Sequence, residues 1–182
     1  MTLETLAKQG RPQLSANLAQ TIGTRIRELR KDSIKESFAD FMTEQHRMET
    51  VSKVHGIEFV NDSVSCTVNA TWYALESTNK PVIWLAGGLD RNSDYSILHP
   101  LVKEKVKAII CLGRDNRRIS EAFDDIDIAV VRAEDMQEAV ELAYHLGRTG
   151  DVVLLSPCCP SFDKFENYEE RGNKFRKMVR EL

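Results

Sequence analysis

From about residue 46 onward the chain alternates short apolar runs with amphipathic stretches of ten or so residues. Runs 47–54 and 57–62 flank His55-Gly56, a two-residue hairpin signal. Further strand-like runs lie at 81–85, with Val-Ile-Trp-Leu at its centre, and at 108–112, 126–131 and 151–155. Helical spacing falls between them. Residues 68–77 carry Trp72, Tyr73 and Leu75, a short helix is expected over 96–105, and another carries Ile119 and Phe123. Residues 136–146 place Ala139, Val140, Ala143 and Tyr144 at helical intervals. After 155, Ser156-Pro157 and Pro160 force a turn, Ser161 is expected to cap a helix, and 162–182 read as largely helical, with Phe162, Phe165 and Tyr168 as apolar positions. Strands alternating with helices imply an α/β fold: a Rossmann-like, mostly parallel sheet with helices on both faces and an antiparallel hairpin strand at one edge.

Residues 1–45 have a different texture. No β-like run occurs there, and Leu14, Leu18, Ile22, Ile26 and Leu29 recur at helical spacing, followed by Ile34, Phe38 and Phe41. The expected organisation is a helical segment over 1–45 and an α/β domain over 46–182. The segment is too small for its own core, so it should pack on the domain, on another subunit or on a missing part. An uncovered apolar face there would favour a homodimer. Arg25, Arg27, Arg30, Lys31 and Lys35 read as a solvated helical face.

Composition narrows the function class. The 182 residues carry a net charge of −3, so no general affinity for nucleic acid or anionic membrane follows. No apolar run reaches membrane-spanning length and no leader is apparent, which implies a cytoplasmic protein. The four cysteines, Cys66, Cys111, Cys158 and Cys159, form no CxxC pair and read as reduced thiols, the adjacent pair as turn packing.

Candidate chemistry collects in the loops after the strands, which in such a sheet converge on one rim. They supply Asp62, Ser63, Thr67, Asp90, Arg91, Asp94 and Ser161, with His46-Arg47 just before the hairpin. Aspartate there can accept from ribose hydroxyls, and arginine can pair with carboxylate or phosphate. Gly87-Gly88 would let a ligand approach the backbone. The sequence contains no GxxxxGK[ST] phosphate cradle and no ordered Ser–His–Asp, HExxH or paired-carboxylate arrangement.

Several ordered motifs carry a resemblance. His46-Arg47-Met48-Glu49, Phe59-Val60-Asn61-Asp62-Ser63, Trp72-Tyr73-Ala74-Leu75-Glu76, Ala86-Gly87-Gly88, the run from Leu154 to Asp163, and Phe165 to Gly172 follow one another as in the Mur ligases. The similarity, from about residue 15 onward, is to the C-terminal domain of the branch that joins D-glutamate to UDP-N-acetylmuramoyl-L-alanine in peptidoglycan precursor synthesis. It implies a three-domain ligase whose central P-loop domain binds ATP and Mg, with the segment before His46 as that domain's tail. A carboxylate is activated as an acyl phosphate, which the amino acid's amine attacks. By this resemblance Arg47 and Asp62 contact ATP. Ser161 and Phe162 form the turn facing the amino acid, Tyr168 replaces a usual phenylalanine, and Arg91 replaces a lysine for the α-carboxylate.

The departures are local. Where the family continues Asn-Asp-Ser with Lys-Ala-Thr-Asn, this chain has Val64, Ser65, Cys66 and Thr67, and Pro160 removes a backbone N–H from the Ser-Pro turn. Losing one charge-assisted contact typically costs about 1.5–3 kcal/mol. The isolated chain is therefore expected to be inactive without the amino-terminal and central domains. The alternative is a free-standing degenerate domain that binds a ligand or protein partner without catalysis.

Overall fold

The computed structural model describes residues 20–25, 28–29, 32–33 and 45–182. The chain divides into two compact units, Met1–Asp40 and Phe41–Leu182. In the first, the described residues are helical. The expected helical faces built on Leu14, Leu18, Ile26, Ile34, Phe38 and Phe41 lie outside the described residues.

The second unit is built on a six-stranded sheet. Its strands are β1 (Glu49–Val54), β2 (Ile57–Asn61), β3 (Val82–Ala86), β4 (Val106–Leu112), β5 (Ala129–Ala133) and β6 (Val152–Leu155). Their spatial order is β1-β2-β6-β3-β4-β5, with only the β1–β2 pair antiparallel. The hairpin reverses at His55 and Gly56, both with positive φ (47° and 84°), as the right-handed twist of a two-residue hairpin demands. β3 and β6 are buried throughout and pair in register, Val82 opposite Val152 and Leu85 opposite Leu155. Strands covered on both faces need apolar residues at every position, which explains their unbroken Val-Ile-Trp-Leu-Ala and Val-Val-Leu-Leu runs.

The helices are α1 (Val68–Ser77), α2 (His99–Lys105, after a 3-10 turn at Ser96–Leu98), α3 (Arg117–Ala122), α4 (Met136–Leu146) and α5 (Tyr168–Arg180). One core cluster unites Ile83, Leu85, Ile110 and Val153 of the sheet with Ala139 and Val140 of α4 and Phe175 and Val179 of α5. Alternation along β3 sends Trp84 to the opposite face, where its ring meets Phe123 edge-on at 5.7 Å. Capping side chains set three helix starts: Thr67 accepts from Ala70 N–H, Asp135 from Glu138 N–H and Asn167 from Glu170 N–H.

Two sequence expectations are corrected. The fifth strand covers Ala129–Ala133, not 126–131, because residues 124–128 form turns. Residues 161–167 are not helical: Ser161 O accepts only a local turn, from Lys164 and Phe165 N–H, and the helix cap is Asn167. A cap needs the following residues in helical backbone, and that begins only at Tyr168.

One contact fixes the chain's entry into this domain. His46 is buried with φ 62°, its Nδ1 2.9 Å from Asn61 Nδ2, and its ring lies against Gly172 of α5. A Cβ at position 172 would overlap the His46 ring. Gly172→Ala is therefore expected to lose about 1–3 kcal/mol of stability from overpacking. Adding His46→Ala should restore part of it, both read as urea-unfolding free energies. Wild-type stability in the single variant would contradict this packing.

Candidate functional site

All five parallel strands end on one rim, and the loop after β2 puts Asp62 there, 1 % exposed. Asp62 Oδ1 accepts from the Met48 N–H at 3.2 Å, and Oδ2 lies 2.9 Å from Ser156 Oγ at the end of β6. Ser156 Oγ also lies 3.0 Å from Thr71 Oγ1 of α1, and Ser156 O accepts from the Trp84 indole at 2.7 Å. The carboxylate thus sits where three strands and a helix meet. Burial pushes its pKa up to about 6, against hydrogen bonds from Ser65, Ser156 and the Met48 amide and the charge of Arg47, which favour the ionised form.

Beside it a buried cation ties the loops together. Arg171 of α5 is 2 % exposed. Its Nε donates to Ser63 Oγ (3.0 Å), and its two terminal nitrogens donate to Ser63 O (2.8 Å), Cys159 O (3.0 Å) and Cys66 Sγ (3.2 Å). Ser63 Oγ in turn donates to Tyr168 O at 2.8 Å. Burial pulls the guanidinium below its ordinary pKa, as expected for a charge answered mainly by neutral acceptors.

A second cluster lies across the rim, around a cavity of about 510 Å³ lined in part by Gly88, Asp90, Arg114, Arg118, Phe162 and Asp163. Arg118 Nε stands 3.1 Å from Asp90 Oδ2, and its guanidinium also reaches Asn92 Oδ1 and Ser93 O. Asp163 Oδ2 accepts from the Arg114 N–H at 3.1 Å, joining the loops after β4 and β6.

The residues singled out in the sequence divide between these clusters. Asp62 and Ser63 lie in the first. Arg47 is half-buried beside them, its charge acting on Asp62, and Tyr168 sets its ring edge-on to His46 at 6.2 Å. Val64 is half-buried, its N–H donating to His46 O, and Cys66 lies on Arg171. Asp90 and Phe162, which is 65 % exposed, belong to the second. Arg91 is exposed and does not line the second cavity, and Ser161 is buried. Thr67 serves as a helix cap, and Asp94 accepts from Ser96 N–H. Gly87 and Gly88, with φ 119° and 139°, leave room for protein backbone: a Cβ would strike Leu112 O at one and Pro160 O at the other. Burial raises the Cys111 and Cys159 thiols to about 12 and about 11 and raises Cys158 as well, so these three are packing groups. Arg171, Ser156, Arg114, Arg118 and Asp163 were not anticipated as site residues. Glu-Glu-Arg-Gly on a helix reads as a solvated face, and nothing local in the sequence marks its arginine as buried.

Comparison with known proteins supplies the context. The sequence profile of the Mur ligase, glutamate ligase domain, matches residues 46–159. The chain is similar along its whole length to UDP-N-acetylmuramoylalanine–D-glutamate ligases, 47 % identical to that of Christiangramia forsetii and 42 % to those of Bacteroides fragilis and Salinibacter ruber. It spans only about 41 %, 41 % and 40 % of those proteins. Among solved structures, the UDP-N-acetylmuramate–alanine ligase of Thermotoga maritima superposes over 80 % of this chain and 32 % of its own, with a TM-score of 0.53 and 10 % identity. The bifunctional folylpolyglutamate synthase/dihydrofolate synthase of Yersinia pestis, complexed with AMPPNP and Mn, covers 77 % of this chain and 32 % of its own at a TM-score of 0.50 and 17 % identity. These two likenesses concern the fold. Among the described residues, no helix is long and apolar enough to cross a membrane.

The buried carboxylate gives a pH-dependent stability. Asp62 holds its proton more tightly folded (about 6) than unfolded (3.8), so its contribution is complete below the lower value and lost as pH rises through the upper. The difference is of order 3 kcal/mol. Urea-unfolding free energies of wild type minus Asp62→Asn should fall between about pH 4 and pH 7. A constant difference across that range would contradict the raised pKa.

Proposed function

The chain belongs to the Mur ligase family, of which it carries the glutamate ligase domain, and on that premise we propose that it serves a UDP-N-acetylmuramoylalanine–D-glutamate ligase as its amino-acid- and nucleotide-contacting domain. The observation that carries this reading is similarity along the entire chain to ligases of that one specificity, at 42–47 % identity. Residues 1–45 are then the tail of the central domain and 46–182 the closing domain. The reaction would be ATP-dependent: the γ-phosphoryl group passes to the carboxylate of UDP-N-acetylmuramoyl-L-alanine, the D-glutamate amine attacks the acyl phosphate, and an amide, ADP and phosphate result.

This chain's share is binding and orientation. Arg47 and Asp62 are the residues proposed for ATP. Ser161, Phe162, Tyr168 and Arg91 are the residues proposed for the amino acid. The exposure of Phe162 and Arg91 suits a surface completed by another domain, whereas buried Ser161 would act through the shape of its turn. Magnesium fits this domain poorly. Asp62 is buried and hydrogen-bonded on both oxygens, and the described residues contain no group of three or more His, Cys, Asp or Glu able to hold a metal. A metal would be held by the nucleotide phosphates and the central domain.

A second reading, a degenerate binding module, draws on the substituted loop. Val64 removes a cation, and Cys66 presents to Arg171 a sulfur where the family has a hydroxyl. Calorimetric titration with D-glutamate in the presence of ATP–Mg distinguishes the two. The wild-type chain is expected to bind weakly, and Val64→Lys/Cys66→Thr to bind about tenfold or more tightly, the equivalent of one regained charge-assisted contact. No gain in the double variant favours the module. Purified alone, the chain should release no phosphate from ATP, and ATP- and D-glutamate-dependent release would overturn the division of labour proposed here.

A further inference from the structure

The loop after β4 and the outer edge of β5 form a recess that adjoins the second rim cluster, with Arg114 and Asp115 as the shared wall. Its volume is about 490 Å³, within the range of small-molecule sites, and its walls include Arg114, Asp115, Arg117, Val130, Val131 and Arg132. Between β5 and β2, which Asp62 directly follows, stand β4, β3 and β6. At the usual strand spacing that is roughly 19 Å, so the recess is separate from the Asp62 cluster.

Its charge is unbalanced. Arg117 is already paired: Nε and a terminal nitrogen grip the two Asp115 oxygens at 3.0 and 2.7 Å, and this contact holds the Asp115 carboxyl down to about 2. Arg114 and Arg132 have no carboxylate of their own, although the charge of Arg132 also acts on Asp115. Among the described residues neither guanidinium enters an ion pair, and Arg132 is oriented across the recess by a bond to Arg114 O at 3.3 Å. Among the lining residues three arginines stand against one aspartate, an excess of two positive charges, with Asp163 bonded to the Arg114 N–H on the side of the neighbouring cavity. Val130 and Val131, half-buried at the open sheet edge, supply an apolar wall beside them.

We propose that this recess binds a small phosphate monoester with an apolar or aromatic body. A phosphate monoester is a dianion above its second pKa of about 6, matching the excess of two positive charges, and guanidinium groups favour bidentate phosphate contacts. The volume exceeds that of a bare phosphate, and the valine wall gives the organic part a surface to cover.

Phenyl phosphate is the probe, titrated into the whole chain and followed by amide shifts in 15N-resolved NMR, with inorganic phosphate and benzoate as comparisons. The expected result is saturable shifts confined to residues 111–120 and 129–133. Inorganic phosphate and benzoate should bind about tenfold or more weakly, one lacking the body and the other the second charge. Arg114→Gln and Arg132→Gln should each weaken phenyl phosphate about tenfold or more, and Arg148→Gln, at the opposite end of the sheet, should not. Both recess side chains are exposed, so their replacement should leave the remaining amide pattern intact. Absence of saturable shifts at those residues, equal binding of either comparison ligand, or wild-type affinity in both recess variants would overturn the proposal.

Discussion

The guanidinium of Arg171 holds the rim of this domain in shape. It is buried, carries its charge into the protein interior, and has bonds to Ser63 Oγ and O, Cys159 O and Cys66 Sγ. The loops after β2 and β6 share a backbone bond, Cys158 N–H to Ser65 O at 3.0 Å, and the guanidinium adds bonds that tie both loops to helix α5. Removing the side chain would leave carbonyls and a hydroxyl unanswered in a buried place, each costing about 1–3 kcal/mol. Ser63 extends the linkage to Tyr168 O at the first turn of α5, and the neighbouring Asp62 extends it through Ser156 to Thr71 of α1.

That arrangement bears on the positions where the sequence motif is expected to depart from the Mur ligase pattern. Val64 and Cys66 fall in the very loop that Arg171 grips, and the loop is nonetheless held, because a thiol sulfur can still accept from the guanidinium. Pro160 is likewise accommodated: its carbonyl accepts from Leu89 N–H and lies against Gly88. Val64, Cys66 and Pro160 thus sit within the rim with its internal bonding in place. Two of the four Arg171 bonds go to backbone carbonyls, Ser63 O and Cys159 O, which do not change with the side chain.

The sheet was largely legible in the sequence, since strands buried on both faces and amphipathic helices leave strong periodic signals. β3, β6, α1 and α4 lie within a residue or so of where the pattern puts them. The misses have local causes. Ile126 and Ile128 resemble strand residues, but the turns around them place the ladder with β4 at Ala129–Ala133. Ser161 has the chemistry of a cap, yet the chain needs a turn to carry Asp163 to the Arg114 amide before α5 can start. Gly87-Gly88 suggested room for a ligand, and tertiary packing fills that room with the carbonyls of Leu112 and Pro160. Arg171 was invisible as a site residue because burial of one arginine on a polar helix depends on loops far away in sequence.

The most direct test is amide hydrogen exchange of the wild-type chain against Arg171→Met, which keeps an unbranched apolar stem and removes the five donors. Exchange should accelerate in the loops 62–67 and 156–160 and in the first turn of α5, while β3, β4 and β5 keep their protection. Unchanged protection in those loops would contradict the claim that the buried guanidinium holds the rim together.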